Sequence, residues 1–181
     1  MRKTIYLFTI ITALTLIACG GDEPVDTSEQ KKEVSLKGLE EFDLKEYGFN
    51  IVIMVPKADM NGVAEVELTE RGTLEIVIGL DYGLEIMFGG GDLELLKTDL
   101  KEHLFYTSEI LKEEENALIY TQDIPDSGVK TQCHFMYKAV VGSETYEVRD
   151  IATREYGSGM IEKMLESAKT IKALVSSEVV V

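Results

Sequence analysis

The chain reads as an α+β domain: an antiparallel β-sheet with helices packed on its faces. Three observations predict this. Short apolar runs rich in β-branched residues are separated by tight-turn signals. Two longer segments switch to helical spacing. The order is strands, helix, strands, helix, which sets a strand meander against segregated helices.

The first strand is Phe49 to Val55, FNIVIMV, a nearly continuous apolar run closed by Pro56. Ala64 to Glu70 alternates, with Val66 and Leu68 on one side and Glu65 and Glu67 on the other. Glu70-Arg71-Gly72 marks a turn, and Thr73 to Ile78 pairs back as a hairpin. Gly83 to Phe88 is a further strand. Gly89-Gly90-Gly91 then breaks the sheet, and Asp92 is placed to cap a helix. Leu93, Leu96, Leu100 and Leu104 recur at helical spacing, with Lys97, Asp99, Lys101 and Glu102 between them.

More strands follow at Tyr106 to Lys112, Ala117 to Gln122, Val129 to Val141 and Glu144 to Ile151. Glu113-Glu114-Glu115-Asn116 and Val141-Gly142-Ser143 serve as hairpin turns. In the long strand Cys133, Phe135, Tyr137, Ala139 and Val141 share one face. The closing helix starts near Ser158. Met160, Ile161, Met164, Leu165, Ala168 and Ile171 form its apolar stripe, and Glu162, Lys163, Glu166 and Lys169 its wet face.

The opening, MRKTIYLFTIITALTLIAC, is of another kind. Arg2 and Lys3 precede an uncharged run of 14 residues, Ile5 to Ala18. A basic start, a short apolar core and small residues near its end make a secretory signal peptide. A spanning helix needs roughly 20 apolar residues, and Gly20-Gly21-Asp22-Glu23 would not continue one. An ordinary signal peptide needs no cysteine. Leu16-Ile17-Ala18-Cys19 resembles the bacterial lipobox. That resemblance implies a diacylglyceryl group on the Cys19 thiol, cleavage before Cys19 and acylation of the new amino terminus. The acceptor must be a thiol because a thiolate is the nucleophile. Two or more acyl chains hold a domain stably on a membrane without spanning it. The alternative is an ordinary signal peptide with Cys19 unmodified.

The expected organisation is a lipoprotein signal peptide at 1–18, a lipidated Cys19 with a flexible acidic tether over 19–37, one α+β domain over 38–175 and a tail at 176–181. Gly20 to Ser35 lacks periodicity and aromatic residues. As a coil its 16 residues span roughly 20 to 24 Å. Gly20-Gly21-Asp22-Glu23 also resembles acidic segments that direct some Gram-negative lipoproteins to the outer membrane.

Without residues 1–18 the chain carries 16 basic and 33 acidic residues, a formal charge of −17. Such a surface repels nucleic-acid phosphates, so no nucleic-acid partner is expected. Cys133 has no partner once Cys19 is lipidated, so no intrachain disulfide forms.

The whole arrangement resembles the Mog1/PsbP-like fold. EYGFNIVIMVP is like that family's opening strand. The close, YEVRDIATREYGSGMIEKMLESAKTIK, carries the helix pattern in Met164, Leu165, Ser167, Lys169, Thr170 and Ile171. Members are mostly binding or accessory modules, which implies the same class here. The chain departs from the family in having no Trp.

Candidate chemistry is sparse. His103 falls at a helix C-terminus, where a cation suits the dipole. Cys133 and His134 are adjacent on a strand, so they face opposite ways and cannot share a metal; Cys133 reads as a small core side chain. Phe88 to Asp92, FGGGD, lacks the GxxxxGK[ST] lysine and the GxGxxG spacing, and reads as a strand-to-helix corner. Glu113 to Glu115 with Asp123 and Asp126 lack EF-hand spacing and read as solvated turns. No GxSxG, HExxH or CxxC occurs. No catalytic, cofactor-binding or metal residues are assigned.

Two function classes stay open. One is a non-enzymatic envelope lipoprotein that binds an unknown protein partner or assists an assembly. The other is a small ligand carrier or hydrolase. Cys19→Ala is expected to leave unprocessed precursor and to abolish fatty-acid labelling; labelling equal to that of the parent chain would show that Cys19 is not the acceptor.

Overall fold

A computed structural model describes residues 37–174. Cys19, the segment Gly20 to Ser35 and the 176–181 tail lie outside the described residues. The elements are β1 (Leu39–Asp43), β2 (Ile51–Pro56), α1 (Ala58–Asn61), β3 (Ala64–Leu68), β4 (Leu74–Ile78), β5 (Tyr82–Phe88), α2 (Leu93–Glu102), β6 (Thr107–Glu114), β7 (Ala117–Asp123), β8 (Gln132–Val141), β9 (Glu144–Asp150), α3 (Ser158–Ala168) and β10 (Lys172–Ala173). The class is α+β, with every strand pairing antiparallel. Among the described residues no helix is long and apolar enough to cross a membrane.

The strands form two sheets rather than the single meander expected. One has the order β1-β2-β10 and the other β3-β4-β5-β9-β8-β7-β6. The reason lies in β2. Ile51, Val52, Ile53 and Val55 are all buried, so this strand is covered on both faces. It takes neighbours on both edges, and β1 supplies one of them. The β1 sequence LEEFD places its two half-buried residues, Leu39 and Phe42, three apart. That spacing breaks the period of two, so the strand does not declare itself.

One core joins the two sheets. Ile51, Ile53 and Val55 meet Ile76, Leu84, Phe135 and Val148 together with Ile161, Met164, Leu165 and Ala168 from α3. The expected α3 stripe packs on this core; on β8 Cys133, Phe135 and Ala139 are buried in it with Tyr137 and Val141 half-buried, while His134 and Met136 on the other face are buried as well. A smaller cluster lies on the far face, where Leu93, Leu96 and Leu100 of α2 cover Leu118, Tyr120 and Ile110. The two helices thus sit on opposite faces of the large sheet.

Several boundaries differ from expectation. α2 stops at Glu102 with His103 as its C-cap, and Leu104 is 91% exposed rather than on the helix seam. Only residues 103–106 separate α2 from β6, so the chain must leave the helix before Leu104. Glu113 and Glu114 belong to β6, and the turn is Glu115-Asn116. β8 starts at Gln132, because Asp126 and Gly128 take positive φ in the preceding loop.

The Gly89–Gly91 corner is tied by contact. Asp92 Oδ1 accepts the Glu94 and Leu95 amides at 3.0 Å, the expected cap. A Cβ on Gly91 would collide with Met136 Cε and the Glu147 carboxylate, so a larger residue here would have to displace the ends of those two side chains.

A polar node closes the core. Ser167 Oγ donates to the Met54 carbonyl, which leaves the Tyr82 hydroxyl to donate to Ser167 Oγ at 2.7 Å. Thr170 Oγ1 donates to the Ser167 carbonyl at 2.6 Å and accepts the Met54 amide at 2.8 Å. β10 pairs only with Ile51 and Val52, so these two side chains continue its edge along β2. Lys169, expected on the wet face, is half-buried against Glu114 at 2.8 Å and Glu166 at 3.0 Å. Burial works against its charge, but the two carboxylates hold its pKa above the ordinary lysine value.

Leu165→Ala is expected to cost about 2–5 kcal/mol. Ser167→Ala, which strands Tyr82 and Met54, should cost about 1–3 kcal/mol. Exposed Glu162→Ala should stay within about 0.5 kcal/mol. Urea unfolding midpoints of the three variants check this ranking.

Candidate functional site

Alternation along the strands puts a second set of side chains on the large sheet's outer face. The registers align one row across it. Glu67 pairs with Glu75, Glu75 with Glu85, Glu85 with Arg149, Arg149 with Met136, and Met136 with Leu118. Leu118 lies beneath α2. The β3–β4–β5–β9 half of the face carries the glutamates.

Like charges directly opposite one another destabilise a sheet, and here three glutamates stand in succession. Arg149 offsets them only in part, because its guanidinium also pairs with the neighbouring Glu147 and its Nη2 lies 3.8 Å from Met136 Sδ. Among the described residues no lysine or arginine forms an ion pair with Glu65, Glu67, Glu75 or Glu85. Glu85 is half-buried. Burial raises its pKa, Glu75, Asp150 and Glu147 push the same way, and Arg149 opposes them.

Gly83 makes room beside this row. A Cβ there would strike the Tyr156 hydroxyl, which is buried without a hydrogen-bond partner. Burial, with Asp150, Glu85 and Glu75 adding to it, pushes the Tyr156 phenol up to about 12 against the pull of Arg154. It stays protonated, an unused donor beside the carboxylates.

At the end of β9 the Asp150 carboxylate accepts the Phe135 amide at 2.8 Å and faces His134 Nδ1 at 2.7 Å. It ends the β8–β9 ladder by substituting for a backbone carbonyl. The His134 ring lies 5.6 Å from that of Tyr120, whose phenol burial pushes up to about 12, with Asp150 adding to the shift. Both partners of the His134–Asp150 pair are buried.

The sequence-derived candidates are not brought together. Cys133 points into the core and His134 to the outer face, as strand alternation requires. Burial raises the Cys133 thiol pKa, which makes it a poor nucleophile. His103 is exposed and rests 4.5 Å from the Tyr106 ring. The α2 amides that could hold an anion are capped by Asp92. Glu113 to Glu115 lie at one end of β7, whereas Asp123 and Asp126 lie at the other, Asp123 accepting from Thr131 Oγ1 at 3.0 Å. A groove of about 380 Å³ runs between α2 and the β6–β7 hairpin, but its lysine, Lys97, is already paired with Glu94 and Glu113. Among the described residues no three His, Cys, Asp or Glu side chains are grouped to hold a metal ion. No protein-family model and no curated protein matches the chain.

The glutamate row is what sequence reasoning missed. Each strand shows a Glu among apolar residues, in AEVEL, LEIVI and YGLEIMF. Only the registers bring them into line.

Glu85→Gln is expected to stabilise the fold by about 0.2–1 kcal/mol at neutral pH. The raised carboxyl pKa means the folded state holds its proton to higher pH than the unfolded state. Glu85 therefore costs stability as pH rises through that window, and the gain from glutamine should vanish below pH 4.5, the ordinary carboxyl value. Melting temperatures of both proteins across pH 4 to 8 read this directly.

Proposed function

We propose that this chain is a bacterial envelope lipoprotein, anchored by lipid at Cys19, whose body is a non-enzymatic protein-binding or assembly-accessory module. The observation that carries the binding role is the row Glu67–Glu75–Glu85, a line of carboxylates that forms no ion pair among the described residues and is offset only in part by Arg149 opposite Glu85. Such a row costs stability and is relieved by a cation from outside. Its partner in this reading is a protein presenting lysine or arginine side chains, drawn in by charge complementarity.

The anchor reading rests on Leu16-Ile17-Ala18-Cys19 after a short apolar core, and the outer-membrane address on Gly20-Gly21-Asp22-Glu23. The Mog1/PsbP-like reading of the body rests on the closing-helix pattern. There, Ser167 and Thr170 are the groups that hold α3 to β2, which gives the pattern a mechanical reason. A non-enzymatic role is favoured because, among the described residues, no serine or cysteine side chain hydrogen-bonds to the buried His134–Asp150 pair.

The test is crosslinking and capture of the anchored protein from intact cells, comparing the parent with Glu75→Gln/Glu85→Gln. The double variant is expected to recover severalfold less of a basic partner while melting no lower than the parent. Equal recovery from both would remove the acid row from the binding surface.

A further inference from the structure

The seven-stranded sheet has two unlike ends. β3, β5, β6 and β8 begin, and β4, β7 and β9 finish, at the same end. Of twelve exposed large hydrophobic residues among those described, seven lie in the loops at that end, against Leu68, Phe88 and Val140 at or next to the opposite strand ends. They include Val63 before β3, Leu80 in the β4–β5 turn, Leu104 and Phe105 after α2, and Ile124 and Val129 between β7 and β8. Leu80 is 87% exposed and Phe105 75%. They are spread over four separate loops rather than gathered in a groove, so the shape that meets them all is a broad surface.

The chain also enters the body at this end. The Gly38 carbonyl accepts the Lys57 amide at 3.1 Å, just before α1. α1 in turn abuts the β4–β5 turn, where a Cβ on Gly79 would lie 2.7 Å from the Asn61 carbonyl oxygen. Between Cys19 and Lys37 there are 17 residues. As the coil expected from its composition, that length spans roughly 21–25 Å, less than the width of a small domain.

We infer that this end of the domain seats on the lipid surface that holds the Cys19 anchor, with the tips of the Leu80 and Leu104-Phe105 loops entering the headgroup–acyl boundary. The inference rests on the lipoprotein reading above. Isolated Leu and Phe side chains bind a bilayer weakly on their own. Held there by the anchor, the contact becomes intramolecular, and weak contacts suffice. Charge neither drives nor forbids it. The loops at this end carry Lys57, Lys130 and Arg154 beside Asp59, Asp81, Asp126 and Glu155, so neutral lipid is the surface they suit.

The absence of Trp from the chain provides the experiment. Single-Trp forms of the full protein, Leu80→Trp and Phe105→Trp at this end and Asn116→Trp and Ser143→Trp at the other, are placed on phosphatidylcholine–phosphatidylethanolamine vesicles containing brominated lipid. Emission from Leu80→Trp and Phe105→Trp should be quenched severalfold more than from the other two. Equal quenching at both ends, quenching at neither, or shielding of this end by a second copy or another protein would overturn the inference. Two reporters at each end keep the result readable if one variant fails to fold. The mass of the Cys19 peptide is measured on the same samples. A lipidated Cys19 with equal quenching at the two ends overturns the seating alone, whereas an unmodified Cys19 overturns the lipoprotein reading and the seating with it.

Discussion

Three parts of the fold meet at the Ser167 hydroxyl. It donates to Met54 of the small sheet, accepts from Tyr82 of the large sheet and belongs to the helix between them. Thr170, one turn on, takes the Met54 amide. Without this node the two sheets would share only apolar contacts, which hold layers together but do not fix how one layer lies on another. Directional hydrogen bonds between buried groups set that position. Burial raises the Tyr82 pKa well above the ordinary phenol value, against the opposing pull of the Ser167 hydrogen bond. Met164 supports the same junction, its sulfur accepting the Gly83 amide at 3.3 Å.

This constraint explains how strand β2 can be apolar throughout. A strand buried on both faces usually lies inside a broad sheet. Here it sits in a three-stranded one whose third strand has two residues. The side chains of Ser167 and Thr170 extend that short edge, so the backbone of Met54 is satisfied although β10 does not reach it on that side. Phe49, just before β2, adds a second fastening by stacking on Phe88 at 4.6 Å and leaning on Tyr146.

What was legible in the sequence follows from the range of the interactions. Period-two and period-3.6 patterns are local, and they identified β2 through β9 and both long helices with small shifts at the ends. The Asp92 cap and the Gly72 and Gly142 turns are local too. β1 was missed because Leu39 and Phe42 do not alternate, and its place depends on pairing with Met54 and its neighbours. The division into two sheets was missed because it turns on which strand pairs with which. The glutamate row belongs to the same class. Glu67, Glu75 and Glu85 are 18 residues apart from first to last in the sequence and become adjacent only through two hairpin registers. Leu104 fits the helical spacing, and the short link to β6 overrides it.

The acid row and the apolar end lie at right angles on one sheet. A face carries Glu67, Glu75 and Glu85, and a set of strand ends carries Leu80, Leu104 and Phe105. If the strand ends rest on lipid, the strands stand up from the membrane and the acid face looks sideways along it. A partner in the same membrane plane then meets the carboxylates without displacing the lipid contact. Anionic lipid would be repelled by the face and need not approach it, since the face is turned away. The costs fall in separate places as well. The like-charge row weakens pairing only among β3, β4 and β5, at the edge of the large sheet farthest from α2. The Ser167 node and the core beneath α3 hold β2, β5 and β8 together irrespective of that strain. The domain can therefore keep an unneutralised surface at modest cost in stability, because the groups that fix its layers are not the groups that bear the charge.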